Sequence, residues 1–292
     1  MRVLVLGSGG QLGFELMRAA LPAGWSVDGL SHRELDITDP DAVSRTVGAS
    51  TYGAVVNGAA YTAVDRAESD SGAAFAVNRD GAAHVAAACA TAGIPLMHLS
   101  TDYVFDGTKR DAYVEDDPVA PINIYGASKA AGEAEVARCT DRHIILRTSW
   151  VYGAHGSNFV KTMLRLGRER SELRVVDDQS GSPTAAADLA TAIVRILERL
   201  TPVGNPWGTY HLCGAGTTTW YGFAHRIFAL LSNDRAAPTI RAIASGEFAT
   251  PARRPTNSRL DCGRTERTFG VACPPWEESL SRLLPEIEAS LA

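Results

Sequence analysis

A glycine-rich turn near the N-terminus constrains this chain more than any other feature of its sequence. The short apolar segment Arg2–Leu6 predicts a strand that runs directly into Gly7-Ser8-Gly9-Gly10-Gln11-Leu12-Gly13, and the residues that follow favour a helix. Glycines permit a tight turn and a close approach of the backbone to a ligand, while the free N–H groups at the start of a helix attract an anion. The sequence therefore predicts a dinucleotide-binding turn, with the spacing G-x-x-G-x-x-G rather than the commoner G-x-G-x-x-G.

The pattern that follows this turn is that of an α/β fold. Short β-branched runs alternate with alanine-rich stretches, which is typical of βαβ units around a parallel sheet. The predicted buried strands are Arg2–Leu6, Ser26–Leu30, Ala54–Asn57, Leu96–Ser100 and His143–Thr148. The predicted helices are Leu12–Ala20, Pro40–Val47, Ser71–Ala92 and Tyr125–Cys139. We therefore expect a Rossmann-type, doubly wound parallel sheet that binds its ligands at the carboxyl ends of the strands.

The pattern loosens after about residue 150. The later segments Asn158–Arg170, Ala186–Leu200 and Thr219–Leu231 favour helices, Thr209–Cys213 favours an extended segment, and prolines divide the final third into short pieces. We predict an NAD(P)-binding domain over residues 1–153. Residues 154–292 then form mainly a smaller substrate-binding lobe of loops and helices, with some segments returning to the Rossmann domain.

Composition excludes several classes of function. A formal net charge of -5 argues against non-specific binding to nucleic acid, which depends on a surplus of Lys and Arg. The five cysteines form no C-x-x-C pair, so neither a disulfide framework nor a zinc site is predicted. The first apolar run is too short for a signal peptide, and no stretch reaches the roughly 18 apolar residues of a membrane span. We expect a soluble, cytoplasmic protein.

The end of the second predicted strand bears on the choice of cofactor. An acidic residue there would accept a hydrogen bond from the 2′-hydroxyl of an adenosine ribose. Ser31 and Arg33 offer a donor and a cation instead, which favours the 2′-phosphate of NADPH. Asp28 lies nearby, so NADH stays open as the alternative.

The candidate catalytic residues are Thr101, Tyr125 and Lys129. Tyr125 and Lys129 are four residues apart on a predicted helix, so both side chains project from one face. A nearby ammonium favours the phenolate form and should bring the tyrosine toward useful acidity at neutral pH. Thr101 follows a predicted strand at its carboxyl end, where its hydroxyl can donate to a substrate carbonyl.

These features together resemble the extended short-chain dehydrogenases and, more narrowly, the dTDP-4-dehydrorhamnose reductase family. The resemblance covers nearly the whole chain, in ordered blocks. The blocks are the glycine turn, 35–38, 56–65, 100–105, 125–129, 147–152, 158–159, 178–184 and 254–260.

The resemblance implies that the chain reduces C4 of dTDP-4-dehydro-6-deoxy-L-mannose with NADPH or NADH and forms dTDP-L-rhamnose. It also implies roles for individual residues. The cofactor would be held by Gly7, Gly10, Gln11, Leu12, Gly13, Ser31, Arg33, Asp36, Ile37, Ala60, Tyr61, Thr62, Tyr125 and Lys129. The sugar nucleotide would be held by Thr101, Asp102, Trp150, Asn158, Arg254, Asn257 and Arg259, of which the two arginines suit a diphosphate.

Part of this family binds magnesium through carboxylates at a dimer interface. Glu15 is present here, but Ala187 stands where the second glutamate is expected. We therefore predict no metal site, doubt a role for Mg²⁺, and expect either a monomer or a homodimer.

Three other activities are compatible with parts of the pattern. Sugar-nucleotide dehydratases share the glycine turn and the Y-x-x-x-K motif, but they carry glutamate where this chain has Tyr103. Another sugar-nucleotide reductase or an epimerase could use the same catalytic residues. A non-catalytic regulatory subunit that binds NADP could retain the turn alone, although the intact Thr101, Tyr125 and Lys129 argue against it.

Overall fold

A parallel sheet forms the centre of the protein, as predicted, and it has six strands, one more than the five predicted buried strands. The structure is a computed structural model and describes residues 1–49, 51–200, 206–231 and 237–291. Its strands are β1 (Arg2–Leu6), β2 (Ser26–Leu30), β3 (Ala54–Asn57), β4 (Leu96–Thr101), β5 (His143–Thr148), β6 (Val151–Tyr152), β7 (Glu172–Val176), β8 (Ser180–Gly181), β9 (Thr184–Ala185), β10 (Gly208–His211), β11 (Thr218–Thr219) and β12 (Thr239–Ile243). The central sheet has the order β10-β5-β4-β3-β1-β2.

Helices follow most strands of this sheet. They are α1 (Gln11–Arg18), α2 (Pro40–Gly48), α3 (Val64–Ala67), α4 (Ser71–Phe75), α5 (Ala82–Ala92), α6 (Ile124–Cys139), α7 (Phe159–Glu169), α8 (Ala186–Arg199), α9 (Trp220–Ala229), α10 (Gly263–Phe269) and α11 (Trp276–Ala289). The segment predicted as one helix from Ser71 to Ala92 is helical throughout, but a π-helical stretch at Ala76–Gly81 separates α4 from α5.

Local sequence signals explain where several helices begin. Asp39 accepts a hydrogen bond from the Ala42 N–H and precedes a proline at the first position of α2. Asn123 and Asn158 cap α6 and α7 in the same way, each accepting from an N–H three residues later. These asparagines fix the start of the two helices that flank the site.

The sheet is covered on both faces, which makes the fold doubly wound. Val3 and Val5 of β1 pack into a core with α1 and α8, while the alternate residues Leu4 and Leu6 pack into a core with α2, α5 and α6. A separate apolar core joins α7, α9, α11 and β7 in the second half of the chain.

Two features differ from the sequence prediction. The predicted buried strand Ser26–Leu30 is an edge strand whose residues are half-buried or exposed, because it pairs only with β1 in the described sheet. The second half of the chain was predicted to contain loops and helices, yet β7 and β12 form a parallel pair there. The alternation of exposed Glu172 and Arg174 with buried Leu173 and Val175 is the signal that identifies β7.

The segment predicted as extended near Thr209 forms β10, which pairs with β5 at the edge of the central sheet. The division of the chain at residue 153 stays a prediction. Within the described residues, every helix is too short or too polar to cross a membrane.

Candidate active site

The glycine turn lies between β1 and α1 and leaves no space for side chains. Gly7 has a φ of +80°, and a Cβ at this position would come within 2.6 Å of the Ala59 nitrogen. A Cβ on Gly13 would collide with the carbonyl oxygen of Gly7. Gly10 stands at the N-cap of α1 and has no side chain to occupy the first N–H groups of that helix. The turn therefore has the close backbone approach and the free donors that a pyrophosphate requires.

A cleft of about 600 Å³ opens beside this turn, at the carboxyl ends of the central strands. Gly58 after β3, Thr101 at the end of β4 and Thr148 at the end of β5 line it. The cleft brings together twelve of the residues predicted from the sequence: Gly7, Gly10, Gln11, Leu12, Gly13, Ala60, Thr62, Thr101, Asp102, Tyr125, Lys129 and Trp150.

Tyr125 and Lys129 reach the cleft from the first turns of α6. Asn123 accepts a hydrogen bond of 2.7 Å from the Gly126 N–H and so fixes the start of this helix. Gly126 allows the helix to approach the Tyr103 carbonyl, with which a Cβ would collide. The rings of Tyr103 and Tyr125 meet edge to face with their centroids 5.6 Å apart, so Tyr125 is held against the chain that follows β4.

Thr101 lies beside Tyr125 at the end of β4. Its hydroxyl donates to the Asp102 carboxylate at 3.0 Å and accepts from the Tyr103 N–H at 3.2 Å. The same hydroxyl lies within hydrogen-bonding reach of the Tyr125 phenol, and this contact lowers the pKa of the phenol and so favours its ionised form. The three predicted catalytic side chains therefore occupy one wall of the cleft.

The acidity of Tyr125 differs from the sequence expectation. Burial raises its pKa to about 12, and the hydrogen bond to Thr101 only partly opposes that change. Lys129 is also buried, and burial lowers its pKa to about 8 although Glu133 acts in the opposite direction. The Lys129 ammonium donates to the Leu99 carbonyl at 2.6 Å. Desolvation of both charged forms outweighs the predicted effect of the lysine on the phenol.

Asp102 is a buried carboxyl group in the same cleft. Burial raises its pKa to about 6, although the hydroxyls of Ser258 and Thr101 oppose the change. Asp102 is 3% exposed and lines the cleft directly. A carboxyl group in this position can accept hydrogen bonds from a polyhydroxylated ligand.

Trp150 forms a stacked pair with Trp220, a residue that the sequence analysis missed. The two indole rings are 3.5 Å apart between centroids and nearly parallel, at 8°. Trp150 has a φ of +48°, an uncommon backbone conformation for a residue with a side chain. Its ring covers Gly181, where a Cβ would come within 2.5 Å of the indole. Trp220 begins α9, and nothing in its local sequence indicates this contact.

A second cleft of about 580 Å³ is also lined by Trp220. It runs between α7 and β7, and Phe248 at its edge is 57% exposed. Arg254 lines this second cleft rather than the first. Its guanidinium binds Asp65 through two contacts of 3.0 and 2.7 Å, and this partner was not predicted.

The chain after β2 contains an acidic group that the sequence analysis did not take into account. The N–H and the hydroxyl of Ser31 both donate to the Glu34 carboxylate, at 2.8 and 2.7 Å. These bonds lower the pKa of Glu34. Ser31 lies against the glycine turn, with its Cβ 3.6 Å from the position that a Cβ on Gly9 would occupy. Arg33 is exposed, so a cation and a carboxylate both stand at the predicted adenosine end.

Three further predicted cofactor residues lie outside the first cleft. The Asp36 carboxylate accepts from the N–H and the hydroxyl of Thr38, at 2.9 and 2.8 Å. Ile37 is only 4% exposed and packs in the core, so any contact with a ligand must come from its backbone. The Tyr61 N–H donates to Asn78, which lies in the π-helical stretch.

Three predicted substrate residues use their polar atoms within the protein. The Asn158 amide donates to Gln11 and to the Gly153 carbonyl, so it joins α7 to the glycine turn. Asn257 is buried and donates to the carbonyls of Lys109 and Asp111, while its own oxygen accepts from the Arg259 side chain. Through these contacts Asn257 and Arg259 hold the loop at residues 109–111. Neither residue lines either cleft.

The described residues contain no group of three or more His, Cys, Asp or Glu side chains arranged to hold a metal ion. Glu15 is half-buried, and burial raises the pKa of its carboxyl. The doubt about Mg²⁺ stays a prediction.

A doubly wound sheet with a glycine turn and adjacent Thr, Tyr and Lys side chains is the arrangement of the extended short-chain dehydrogenases. Comparison with known families makes the assignment narrower. The family model described as "RmlD substrate binding domain" matches residues 1–289, and the chain belongs to this family.

Relatives and solved structures agree over the whole length. The chain is 44% identical to a dTDP-4-dehydrorhamnose reductase of Sinorhizobium fredii, over 97% of each protein. It is similar to the crystal structure of the dTDP-4-dehydrorhamnose reductase of Bacillus anthracis in complex with NADP, with a TM-score of 0.91, 38% identity and coverage of 98% of this chain and 99% of the other. A Clostridium acetobutylicum structure with the same name gives a TM-score of 0.92 at 36% identity, over 99% and 100% of the two chains. The predicted family resemblance is confirmed.

Proposed function

We propose that this protein reduces the 4-keto group of dTDP-4-dehydro-6-deoxy-L-mannose with NADPH and releases dTDP-L-rhamnose. The observation that carries the proposal is that Thr101, Tyr125, Lys129 and Trp150 line one cleft with the glycine turn. The full-length relative that is 44% identical bears the name of this activity. A solved relative binds NADP, which supports the choice of cofactor.

The residues present fit a dinucleotide. The turn excludes side chains at Gly7 and Gly13, so its backbone donors and those at the start of α1 would hold the pyrophosphate. Lys129 would hold the nicotinamide ribose from the floor of the cleft. When bound, the cofactor supplies the hydride that is added to C4 of the sugar.

Tyr125 supplies the proton for the oxygen on C4. Its raised pKa keeps the phenol protonated at neutral pH, which is the form that a proton donor requires. The Thr101 hydroxyl lies between Tyr125 and Asp102, and rotation about its C–O bond can turn the O–H from the carboxylate to the substrate carbonyl. Addition of the hydride to C4 and the proton to the oxygen completes the alcohol.

The two clefts together suit a nucleotide sugar. We assign the sugar to the first cleft, beside Asp102 and Trp150, and the nucleotide to the second. Arg254 lines the second cleft and offers a guanidinium to the diphosphate, although it already binds Asp65. Phe248 offers an exposed aromatic ring to the base.

The sequence also supports a division of roles along the chain. Residues 1–153 bind the cofactor and the later residues mainly bind the substrate, with β10 returning to the central sheet. We also infer a cytoplasmic location and a monomer or homodimer. Exposed Arg33 favours NADPH, while the nearby Glu34 keeps NADH as the alternative.

The test is an assay of NADPH oxidation with the purified protein. The 4-keto sugar nucleotide is generated enzymatically in the same mixture, and the product is identified by chromatography and mass spectrometry. We expect substrate-dependent oxidation that yields dTDP-L-rhamnose. If NADPH is oxidised but the product is a different sugar nucleotide, the protein is a related reductase. If NADPH binds and is not oxidised, the proposal is refuted.

Tyr125→Phe provides the matched test of the mechanism. This change removes only the phenol oxygen, so we expect a loss of turnover of at least about 100-fold, within the usual contribution of general acid catalysis. NADPH binding should be retained. Tyr52→Phe is the control. Tyr52 contacts Arg2 and does not line the cleft, so this change should leave turnover unchanged. Full activity of the Tyr125 variant would remove this residue as the proton donor.

A further inference from the structure

Behind the predicted catalytic residues lies a chain of buried polar side chains that runs from the end of β3 to Lys129. Asn57, the last residue of β3, is fully buried, and His98 in the neighbouring strand β4 is 1% exposed. The Asn57 side-chain nitrogen lies 3.2 Å from His98 Nδ1. His98 Nε2, at the other side of the ring, lies 3.4 Å from Lys129 Nζ. These three residues therefore form one hydrogen-bonded path into the cleft.

The orientation of Asn57 fixes the direction of this path. The Ala59 N–H donates to the Asn57 side-chain oxygen at 3.1 Å, so the amide nitrogen must face His98. An amide nitrogen only donates, and His98 Nδ1 must therefore accept. Burial lowers the pKa of His98 well below its usual range, so the ring is neutral and its single proton lies on Nε2.

This tautomer places an N–H in front of the Lys129 amine. An ammonium has no lone pair, so protonated Lys129 and the His98 Nε2–H are two donors that face each other. A neutral amine can instead accept from this N–H while it donates to the Leu99 carbonyl at 2.6 Å. The contact therefore favours the neutral amine over the ammonium.

We propose that His98 is a positioning residue that holds the Lys129 amine in place and favours its neutral form, with its tautomer set by Asn57. Asn57 is followed directly by residues 58–60, of which Gly58 and Ala60 line the cofactor cleft. A displacement of the Ala59 N–H during cofactor binding would be transmitted through Asn57 and His98 to the lysine. This inference extends the proposed function to the protonation of the catalytic lysine.

Other charged groups near this path act on Lys129 as well. Glu133 lies one turn further along α6 and favours the ammonium, but it is bound to Arg147 of β5 at 2.7 Å. His143, at the start of β5, also acts on His98 and lowers its pKa. Tyr125 faces the cleft from the same helix as Lys129. None of these groups sets the tautomer of His98, so a test directed at Asn57 separates their effects.

The first measurement needs no substitution. Long-range ¹H–¹⁵N correlation spectra of the full-length protein with ¹⁵N-labelled histidine distinguish the two neutral tautomers, and His98→Phe assigns the His98 signals among seven histidines. We expect the Nε2–H tautomer between pH 7 and 9. The Nδ1–H tautomer, or an imidazolium, would overturn the proposal.

The second measurement follows Lys129 itself. The chain has only three lysines, Lys109, Lys129 and Lys161, so ¹³C-labelled lysine gives three side-chain signals that Lys109→Arg and Lys161→Arg assign. Asn57→Asp keeps the size of the side chain and its bond from Ala59 but accepts from His98 Nδ1, which leaves a lone pair on Nε2 toward the lysine. We expect the titration midpoint of Lys129 to rise by about one pH unit.

A double-substitution cycle separates this effect from direct attraction between the new carboxylate and the lysine. In the His98→Phe background, Asn57→Asp should shift the titration midpoint of Lys129 by less than half of the shift measured with His98 present. An equal shift in both backgrounds, or no shift with His98 present, would contradict the role of His98.

The pH dependence of kcat/KM provides a third, separate measurement. The alkaline limb of kcat/KM should follow the Lys129 midpoint measured by NMR. If the midpoint moves and the limb does not, the His98 inference holds and the catalytic role given to Lys129 fails.

Discussion

Arg254 and Asp65 form an ion pair of 2.7 Å between residues that are 189 positions apart in the chain. Asp65 lies in α3, next to the chain that leaves β3, and Arg254 lines the second cleft. Asp65 also accepts from the Ala252 N–H at 3.2 Å, so one carboxylate holds both the backbone and the side chain of this segment. Because Val64, the residue before Asp65, lines the first cleft, the ion pair connects the walls of the two clefts.

Asp65→Asn should destabilise the protein by about 1 kcal/mol, since the pair is partly exposed and solvent screens it. Arg254 lowers the pKa of Asp65, so the carboxylate is ionised in both the folded and the unfolded state above its ordinary pKa. The ion pair then makes its full contribution to the free energy of unfolding. This contribution is lost only as the pH falls through the lowered pKa that Asp65 has in the folded state. Urea unfolding of both proteins should give the same difference at pH 7 and pH 5.5. A difference that disappears at pH 5.5 would show that another group carries it.

The cofactor preference should depend on Arg33 and Glu34 in opposite directions. Arg33→Ala should weaken the binding of NADPH by about tenfold and the binding of NADH much less, because only NADPH offers a 2′-phosphate to a guanidinium. Glu34→Gln should favour NADPH relative to NADH, since it removes a negative charge beside the same site. Fluorescence titration with each cofactor measures both ratios, with Arg45→Ala, at an exposed position of α2, as the control. Equal losses for NADPH and NADH would separate Arg33 from the phosphate.

Trp220 should matter for the sugar nucleotide and not for the cofactor. Trp220→Leu removes the ring that stacks on Trp150, and we expect KM for the sugar nucleotide to rise about tenfold, in the range of an aromatic pair plus its buried area. Trp220→Phe retains an aromatic face and should raise this KM by a smaller factor. The KM for NADPH serves as the internal control, and an equal rise in both values would indicate a general disturbance of the fold.

Gly13→Ala should abolish measurable NADPH binding, because the methyl group would collide with the Gly7 carbonyl and displace the turn. Gly72→Ala is the matched control, since a Cβ there meets no atom within 4 Å among the described residues. Gly72 lies in α4, so its replacement should stabilise the protein by up to about 1 kcal/mol. Isothermal titration and thermal unfolding measure the two effects. Undiminished binding by the Gly13 variant would show that the turn can shift.

The features predicted correctly from sequence are those in which residues close in the chain act together. The glycine turn, the spacing of Tyr125 and Lys129 and the parallel sheet all follow from local patterns. Glu34 was within reach of the same reasoning, because Ser31 and Glu34 are only three positions apart in the chain. The acidic group lies slightly further along the chain than the position directly after the strand where we expected one.

The contacts between distant segments could not be predicted. Trp220 meets Trp150 only because α9 folds back across the cleft, and Arg254 meets Asp65 for the same kind of reason. The acidity of Tyr125 was misjudged because charge was considered without burial, and the degree of burial depends on the whole fold. Sequence spacing gives neighbours on one helix, whereas desolvation is a property of every segment that covers a side chain.

The position of β10 determines the order in which the protein can assemble. The parallel sheet ends on Gly208–His211, which pairs with β5 more than sixty residues after that strand begins. During synthesis the first five strands leave the ribosome well before their last partner, so β5 keeps an open edge until more than two-thirds of the chain has emerged. A fragment that stops at residue 153 would therefore present unpaired backbone to other chains, and such an edge invites aggregation. The half of the sequence that carries the cofactor motifs therefore relies on the other half to cover this edge.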